Sequence, residues 1–207
     1  MAKRPVQAAA QARNHSPTVV VLAGPNGAGK STAAPRLLKG ALGVIEFLNA
    51  DMIARGLSPF DPEGAALAAS EVMLQRMDAL AEKRISFGLE TTLAARSLAP
   101  RIRKLIENRY DFRLVFLWLP SADMAVARVA DRVRMGGHDV PEAAVRRRYR
   151  AGLSNFFELY QPIATSWRMY DNSRPGRMKL IAAGRTSTTT RVTLTTIWKS
   201  LRQEYAP

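Results

Sequence analysis

Apolar residues in this chain follow two alternating rhythms. Short unbroken runs at Thr18–Ala23, Val44–Leu48, Ser86–Leu93 and Phe112–Leu119 carry β-branched and aromatic residues, as strands buried on both faces do. Between the second and third runs, Val72, Met73, Met77 and Leu80 recur at helical spacing. Their helix should begin near Pro62, with Asp61 as its cap. Ser121 is placed to cap a later helix whose apolar face is Val126, Val129, Ala130 and Val133. On that reading Arg128 and Arg132 lie opposite the face, and Arg134 at its margin. After Gly136-Gly137-His138, a further helix starts at Pro141 and buries Val145, Tyr149, Leu153, Phe156 and Tyr160, turning Arg147 outward. Trp167–Tyr170 and Met178–Ala182 read as late strands, and the segment after Thr188 as a terminal helix. Strand alternating with helix predicts an α/β fold with a parallel sheet covered on both faces. One domain is expected over residues 17–207, after a loose basic tail at 1–16.

Composition narrows the chemistry. The 207 residues include no cysteine and two histidines, His15 and His138, which excludes thiolate metal sites and a histidine cluster. No apolar run reaches the roughly 20 residues needed to span a bilayer, and the basic N-terminal stretch lacks the apolar core of a secretory signal. A cytoplasmic protein is therefore expected, with no membrane partner. The net charge of +14 points to anionic partners, although 24 of the 31 basic residues are Arg, which also fits a general preference for that residue. Distribution favours phosphate handling: from Arg128 to Arg150 seven arginines face only Asp131, Asp139 and Glu142.

The sharpest motif is Gly24-Pro25-Asn26-Gly27-Ala28-Gly29-Lys30-Ser31, followed by Thr32. It satisfies GxxxxGK[ST], directly after a strand and opening a helix. The glycines let successive amides point at phosphates, Lys30 adds a point charge, and the Ser31 hydroxyl is placed to hold magnesium. These residues predict a P-loop NTPase that binds ATP with Mg2+. Pro35 falls inside the helix that follows and should kink it. The same spelling occurs in ABC-type ATPases, but their LSGGQ signature and a strand ending in Asp-Glu are both absent.

A phosphotransferase also needs a group to deprotonate its acceptor and charges to neutralise the moving phosphoryl group. Asp51 follows the second strand and Glu90 ends the third, so both reach the carboxyl edge of a parallel sheet, beside the phosphate loop. Either could also hold the metal through water. Asp51 can alternatively cap the helix at Met52, and Thr92 can bind substrate or simply favour the strand. The two arginine-bearing helices, hinged at Gly136-Gly137, read either as a lid closing over ATP or as a solvated basic hairpin.

Taken in order, GPNGAGKST (Gly24–Thr32), NAD (Asn49–Asp51), LETT (Leu89–Thr92), RVADRVRMGGHDVPEAAVRRRY (Arg128–Tyr149) and YDNS (Tyr170–Ser173) resemble the zeta toxin family of P-loop kinases, in its compact predicted-ATPase branch. The resemblance implies a nucleoside-kinase-like, five-stranded parallel sheet flanked by helices, with a helical lid over about residues 122–160. It implies magnesium-dependent transfer of the ATP γ-phosphate to a hydroxyl. In toxin members the acceptor is UDP-N-acetylglucosamine and the partner a small helical antitoxin. Asp51 would match the base and Lys30 the phosphate lysine, with Arg132, Arg134 and Arg147 catalytic. Glu90, Thr92, Arg128 and Arg148, together with Asp51, would contact substrate, and Asn172 the nucleotide. The chain departs from the toxins in its shortness and in the Gly-Gly-His of its lid. A small anionic hydroxyl compound, with a nucleotide sugar first, is the leading acceptor. Nucleic acid meets the same electrostatics, but no RNP motif, zinc finger or recognition helix supports it.

Overall fold

The β-branched run at Thr18–Ala23 becomes β1, every residue from Val19 to Ala23 fully buried because sheet neighbours and helices enclose both its faces. The structure is a computed structural model and describes residues 16–174 and 176–207; apart from Ser16, the expected tail lies outside the described residues. Around β1 are β2 (Glu46–Leu48), β3 (Phe87–Thr91), β4 (Asp111–Trp118), β5 (Ser166–Asp171), β6 (Lys179–Arg185) and β7 (Thr188–Val192). They form one sheet in the order β2-β3-β1-β4-β5-β6-β7. The first five positions of that order are parallel, while β5, β6 and β7 pair antiparallel. This is an α/β P-loop kinase fold, a largely parallel sheet flanked by helices. The five parallel strands expected from sequence are thus extended by an antiparallel β6–β7 hairpin.

The helices are α1 (Lys30–Ala34), α2 (Ala50–Leu57), α3 (Ala66–Glu82), α4 (Leu98–Glu107), α5 (Ala122–Arg134), α6 (Glu142–Asn155) and α7 (Thr195–Tyr205). The disturbance expected at Pro35 is real. From Pro35 to Ala41 the helix continues as a π-helix, because proline offers no amide to Ser31 and crowds its carbonyl. A similar widening, Phe156–Tyr160, follows α6 and sets Phe156 edge-on to Phe116 and Trp167, at 5.3 and 5.9 Å. Trp167 in turn stacks on Trp198 of α7 at 5.3 Å. This aromatic cluster welds α6 and α7 to one face of β4 and β5.

Four expectations need correction. The helix near Pro62 begins only at Ala66. Asp61 instead accepts from the Gly64 amide at 2.9 Å and closes the preceding turn. Within α3, Val72 is exposed and Ala69 takes its inward place beside Met77 and Leu80. The segment after Thr188 first forms β7, and its helix starts only at Thr195. On α5 the buried side is rotated: Ala125 and Val129 are buried, Ala130 and Val133 exposed, and Arg128 and Arg132 half-buried. The inward seam Ala125–Arg128–Val129–Arg132 still has helical spacing, but two of its members are cations. The helix α4, with Ile102 and Leu105 buried, was not anticipated. No helix among the described residues is long and apolar enough to cross a membrane.

Gly184 of β6 tests how tightly the aromatic cluster is packed. A Cβ there would sit 2.6 Å from the Trp167 ring and 2.1 Å from the Thr188 carbonyl oxygen. Gly184→Ala should therefore cost about 1–3 kcal/mol by overpacking. Urea unfolding reads this directly, and an unchanged midpoint would mean that the β6–β7 hairpin shifts freely.

Candidate active site

The phosphate loop joins β1 to α1. Gly27 and Gly29 have φ of 75° and 77°, the left-handed turns that let consecutive amides face one concavity. Two groups from distant sequence brace this loop. The Asn172 side-chain amide donates to the Ala28 carbonyl at 2.7 Å. Arg128 donates to the carbonyls of Gly27, Asn172 and Ser173 at 3.4, 2.9 and 2.7 Å. Arg128 thus ties the loop to the end of β5, on the seam where α5 packs against Gly27. The role given to Arg128 from sequence was a substrate contact. Its guanidinium is instead engaged by backbone carbonyls of the loop and of the end of β5, outside the cavity lined by Asp51 and Glu90.

Lys30 opens α1 and is buried, with its ammonium donating to the Pro25 carbonyl at 3.0 Å and lying 3.8 Å from Glu90. Glu90, at the end of β3, accepts from the Ser31 hydroxyl at 3.1 and 2.9 Å and from the Asn49 amide at 2.9 Å. Burial depresses the Lys30 pKa although Glu90 and Asp51 pull it upward; Arg132 and Arg148 push it lower still. Burial likewise raises the Glu90 pKa, opposed by Lys30 and by its hydrogen bonds to Ser31 and Asn49. For both partners, then, loss of hydration outweighs their mutual attraction.

Asn49 also accepts from the Met52 amide at 3.1 Å and is the N-cap of α2. The capping alternative for Asp51 therefore falls away. Asp51 sits exposed in the first turn and lines a cavity of about 1010 Å³. Lys30, Asn26, Glu90, Thr92, Arg147 and Arg148 line the same cavity. The Thr92 hydroxyl accepts from the Ala94 amide at 3.4 Å. Pro25 is buried within the loop, while Ser31 and Thr32 are exposed on α1.

The arginines separate by surroundings. Arg132 has Nε and Nη2 buried with no hydrogen-bond partner among the described residues, a cation left open for an anion. Neither Arg132 nor Arg134 lines the cavity, but they differ: Arg132 is near enough to Lys30 to push its pKa down, whereas Arg134 is exposed and paired with Asp131 on its own helix. Arg147 is exposed and Arg148 half-buried on the cavity wall.

Asn26, expected on the phosphate loop, is buried with its Oδ1 unpartnered among the described residues. Several supporting residues were not singled out from the sequence. Asn155 donates to the Leu93 and Ala94 carbonyls at 2.7 and 3.2 Å, while Leu93 is fully buried at φ 59°. Gly152 brings α6 against the same segment, since a Cβ there would meet the Thr92 carbonyl oxygen at 2.3 Å. These contacts hold the strand end that carries Glu90 and Thr92. Only Asn49, directly before an amphipathic helix, had a local signal, that of a cap.

The strand order and the loop together define a P-loop kinase fold. The AAA domain family profile matches residues 19–155, and the chain belongs to that family. An uncharacterized protein of Haemophilus influenzae is 29% identical over 126 residues, covering 61% of this chain and 88% of the relative. Among solved structures, the AvrRxo1-ORF1:ORF2 complex with ATP superposes with a TM-score of 0.68 at 16% identity, over 91% of this chain. The chain spans only 64% of that protein's length. The PezAT chromosomal toxin-antitoxin system of Streptococcus pneumoniae gives a TM-score of 0.65 at 14% identity, over 92% of this chain and 78% of that one.

The Lys30–Glu90 pair generates a stability test. Because both charges are held against their desolvation cost, the Lys30→Met/Glu90→Gln double variant should melt at or above the wild-type temperature. Each single variant, which strands one buried charge, should melt below the double. The folded state binds the Glu90 proton more tightly than the unfolded chain does. Its contribution to stability therefore falls as pH rises from about 4 through its raised pKa, and Glu90→Gln should flatten that slope. Thermal melts across the acid range measure both effects.

Proposed function

We propose that this chain is a phosphotransferase that moves the γ-phosphate of ATP to a hydroxyl on a small anionic acceptor, a nucleotide sugar being the first candidate. The observation that carries the proposal is one cavity bordered by a phosphate-loop lysine, an exposed carboxylate, Asp51, and the arginines Arg147 and Arg148. The AvrRxo1-ORF1:ORF2 structure with ATP supports the choice of nucleotide.

In this reading the loop amides and Lys30 cradle the phosphates of ATP. Lys30 must then exchange its bond to the Pro25 carbonyl for a phosphate oxygen. Asp51 takes the proton of the acceptor hydroxyl as that oxygen bonds to the γ-phosphorus and the bond to ADP breaks. Arg132, Arg147 and Arg148 offset the negative charge of the moving group, and Glu90 with Thr92 orients the acceptor. Asn172, already against the loop, borders the nucleotide. The Ser31 hydroxyl and the Glu90 carboxylate, 2.9 Å apart, would hold magnesium, with Asp51 reaching it through water. Such a sparse all-oxygen set suits this ion, which keeps several waters and takes its other ligands from phosphates. Bound magnesium would neutralise charge on the phosphoryl oxygens. Of the lid expected over residues 122–160, only the part around the Gly136-Gly137 hinge closes, because Arg128 at one end and Gly152 and Asn155 at the other are fastened to the phosphate loop and to the segment after Glu90. The toxin-antitoxin setting of PezAT supports a small antitoxin as the protein partner.

The test is incubation with ATP, magnesium and a panel of nucleotide sugars, sugars, nucleosides and oligonucleotides, with mass spectrometry for the gain of one phosphoryl group. Transfer confined to oligonucleotide ends, or to nothing, would overturn the acceptor assignment. Asp51→Asn should keep ATP binding and lower turnover by about 10²–10⁴. Arg132→Ala should lose a factor of about 10³–10⁵, whereas Arg134→Ala stays within a few-fold of wild type. Equal losses at both arginines would remove the distinction drawn from their surroundings.

A further inference from the structure

The far side of the sheet, away from the cavity, carries a second concentration of positive charge. Register fixes it. Arg113 pairs with Ser166, and Ser166 precedes by two the Arg168 that pairs with Ala183; Ala183 pairs with Arg191. Arg185, two residues beyond Ala183 and paired with Thr188, shares that face. Side chains two apart on a strand, and those directly paired across strands, point the same way. Arg113, Arg168, Arg185 and Arg191 therefore stand on one face, one per strand from β4 to β7, in a zigzag. The opposite face is the one sealed by Trp167, Phe156 and Trp198.

Arg168, Arg185 and Arg191 are exposed and Arg113 half-buried. None of the four joins an ion pair among the described residues. These strands contain two acids. Asp171 falls on the opposite face, whereas Asp111, two residues before Arg113, shares the arginine face at the start of β4, beside Thr18 of β1. On these four strands the face thus carries four arginines against one carboxylate, Asp111.

We propose that this arginine face docks the phosphodiester backbone of nucleic acid. Adjacent strands lie about 4.8 Å apart, so the four arginines span about 14 Å, with diagonal steps of about 8 Å. At about 3.4 Å of duplex axis per phosphate of one strand, that span covers about four to five phosphates, enough to offer one to each guanidinium. Guanidinium is also the side chain best suited to grip phosphate through two parallel hydrogen bonds. A membrane partner fits poorly, because peripheral binding adds inserted apolar side chains to charge. The exposed large apolar residues lie elsewhere, apart from Val192, which pairs with Ala182 on the other side of the sheet. A protein partner would call for an exposed apolar or aromatic anchor, and the aromatic residue two along from Arg168 on this face, Tyr170, is half-buried against the core. Backbone docking of this kind carries no sequence preference, in keeping with the absence of base-reading motifs.

Fluorescence anisotropy of the full chain against labelled duplex DNA, single-stranded DNA and single-stranded RNA tests the assignment and separates the sources of phosphodiester. Binding should weaken with salt along a log–log slope of about −3 to −4. Arg168→Gln/Arg191→Gln should lose affinity at least tenfold and reduce the slope by about two, with the melting temperature and ATP binding unchanged. Because ATP binding is read separately, failure here leaves the phosphotransferase reading standing, and the converse holds. Three results would overturn the proposal. One is no binding to any of the three at low salt. Another is wild-type affinity and slope in the double variant, which would assign binding to a different basic segment. The third is attachment to phosphatidylserine vesicles without attachment to nucleic acid.

Discussion

Everything at the candidate site follows from one constraint: an ammonium and a carboxylate, 3.8 Å apart, must be kept charged where little water reaches them. A low local dielectric strengthens every electrostatic contact made with an incoming phosphate. It also leaves the pair itself poorly solvated, as burial acts against both charges. The site answers by surrounding Glu90 with donors, Ser31 and Asn49, and by giving Lys30 a carbonyl in place of a phosphate. These are contacts that a bound nucleotide can replace in kind.

Such a site needs a frame that does not relax. The frame is supplied by side chains of the second half of the chain reaching backbone of the first. Arg128 and Asn172 fasten the phosphate loop, and Asn155 and Gly152 fasten the segment after Glu90. Helix α5 illustrates the trade involved. Its inward seam holds two arginines where a helix built for packing alone would hold aliphatic residues. Arg128 is satisfied by three carbonyls, while two nitrogens of Arg132 are left open.

That trade also explains which features could be read from the sequence. The strands β1 and β4, the phosphate loop and the inward face of α6 were legible because burial and a fixed spacing act on the same residues. The face of α5 was misassigned because counting apolar positions points its helix by Ala130 and Val133, which lie outside. The β7 strand was missed because Thr188–Val192 is an exposed edge with no apolar alternation. The start of α3 was placed too early because an Asp-Pro pair initiates turns as readily as helices. Among candidate residues, sequence alone could bring Lys30, Asp51 and Glu90 to one sheet edge. It could not separate Arg132 from Arg134, because one is distinguished by burial and the other by an ion pair to Asp131.

The π-helical stretch after α1 divides labour along a single continuous helix. Attraction of an anion to a helix end is felt within about the first turn, and Lys30–Ala34 supplies that turn. Downstream of Pro35 the winding widens, so every later side chain is re-aimed relative to the phosphate loop. One result is Leu38, whose Cδ1 comes to 2.9 Å from where a Cβ on Gly88 would stand, filling the space left by the missing side chain on β3. The phase of the first turn answers to the nucleotide and the phase of the rest to the core. The two can thus be adjusted separately, as if they belonged to different elements.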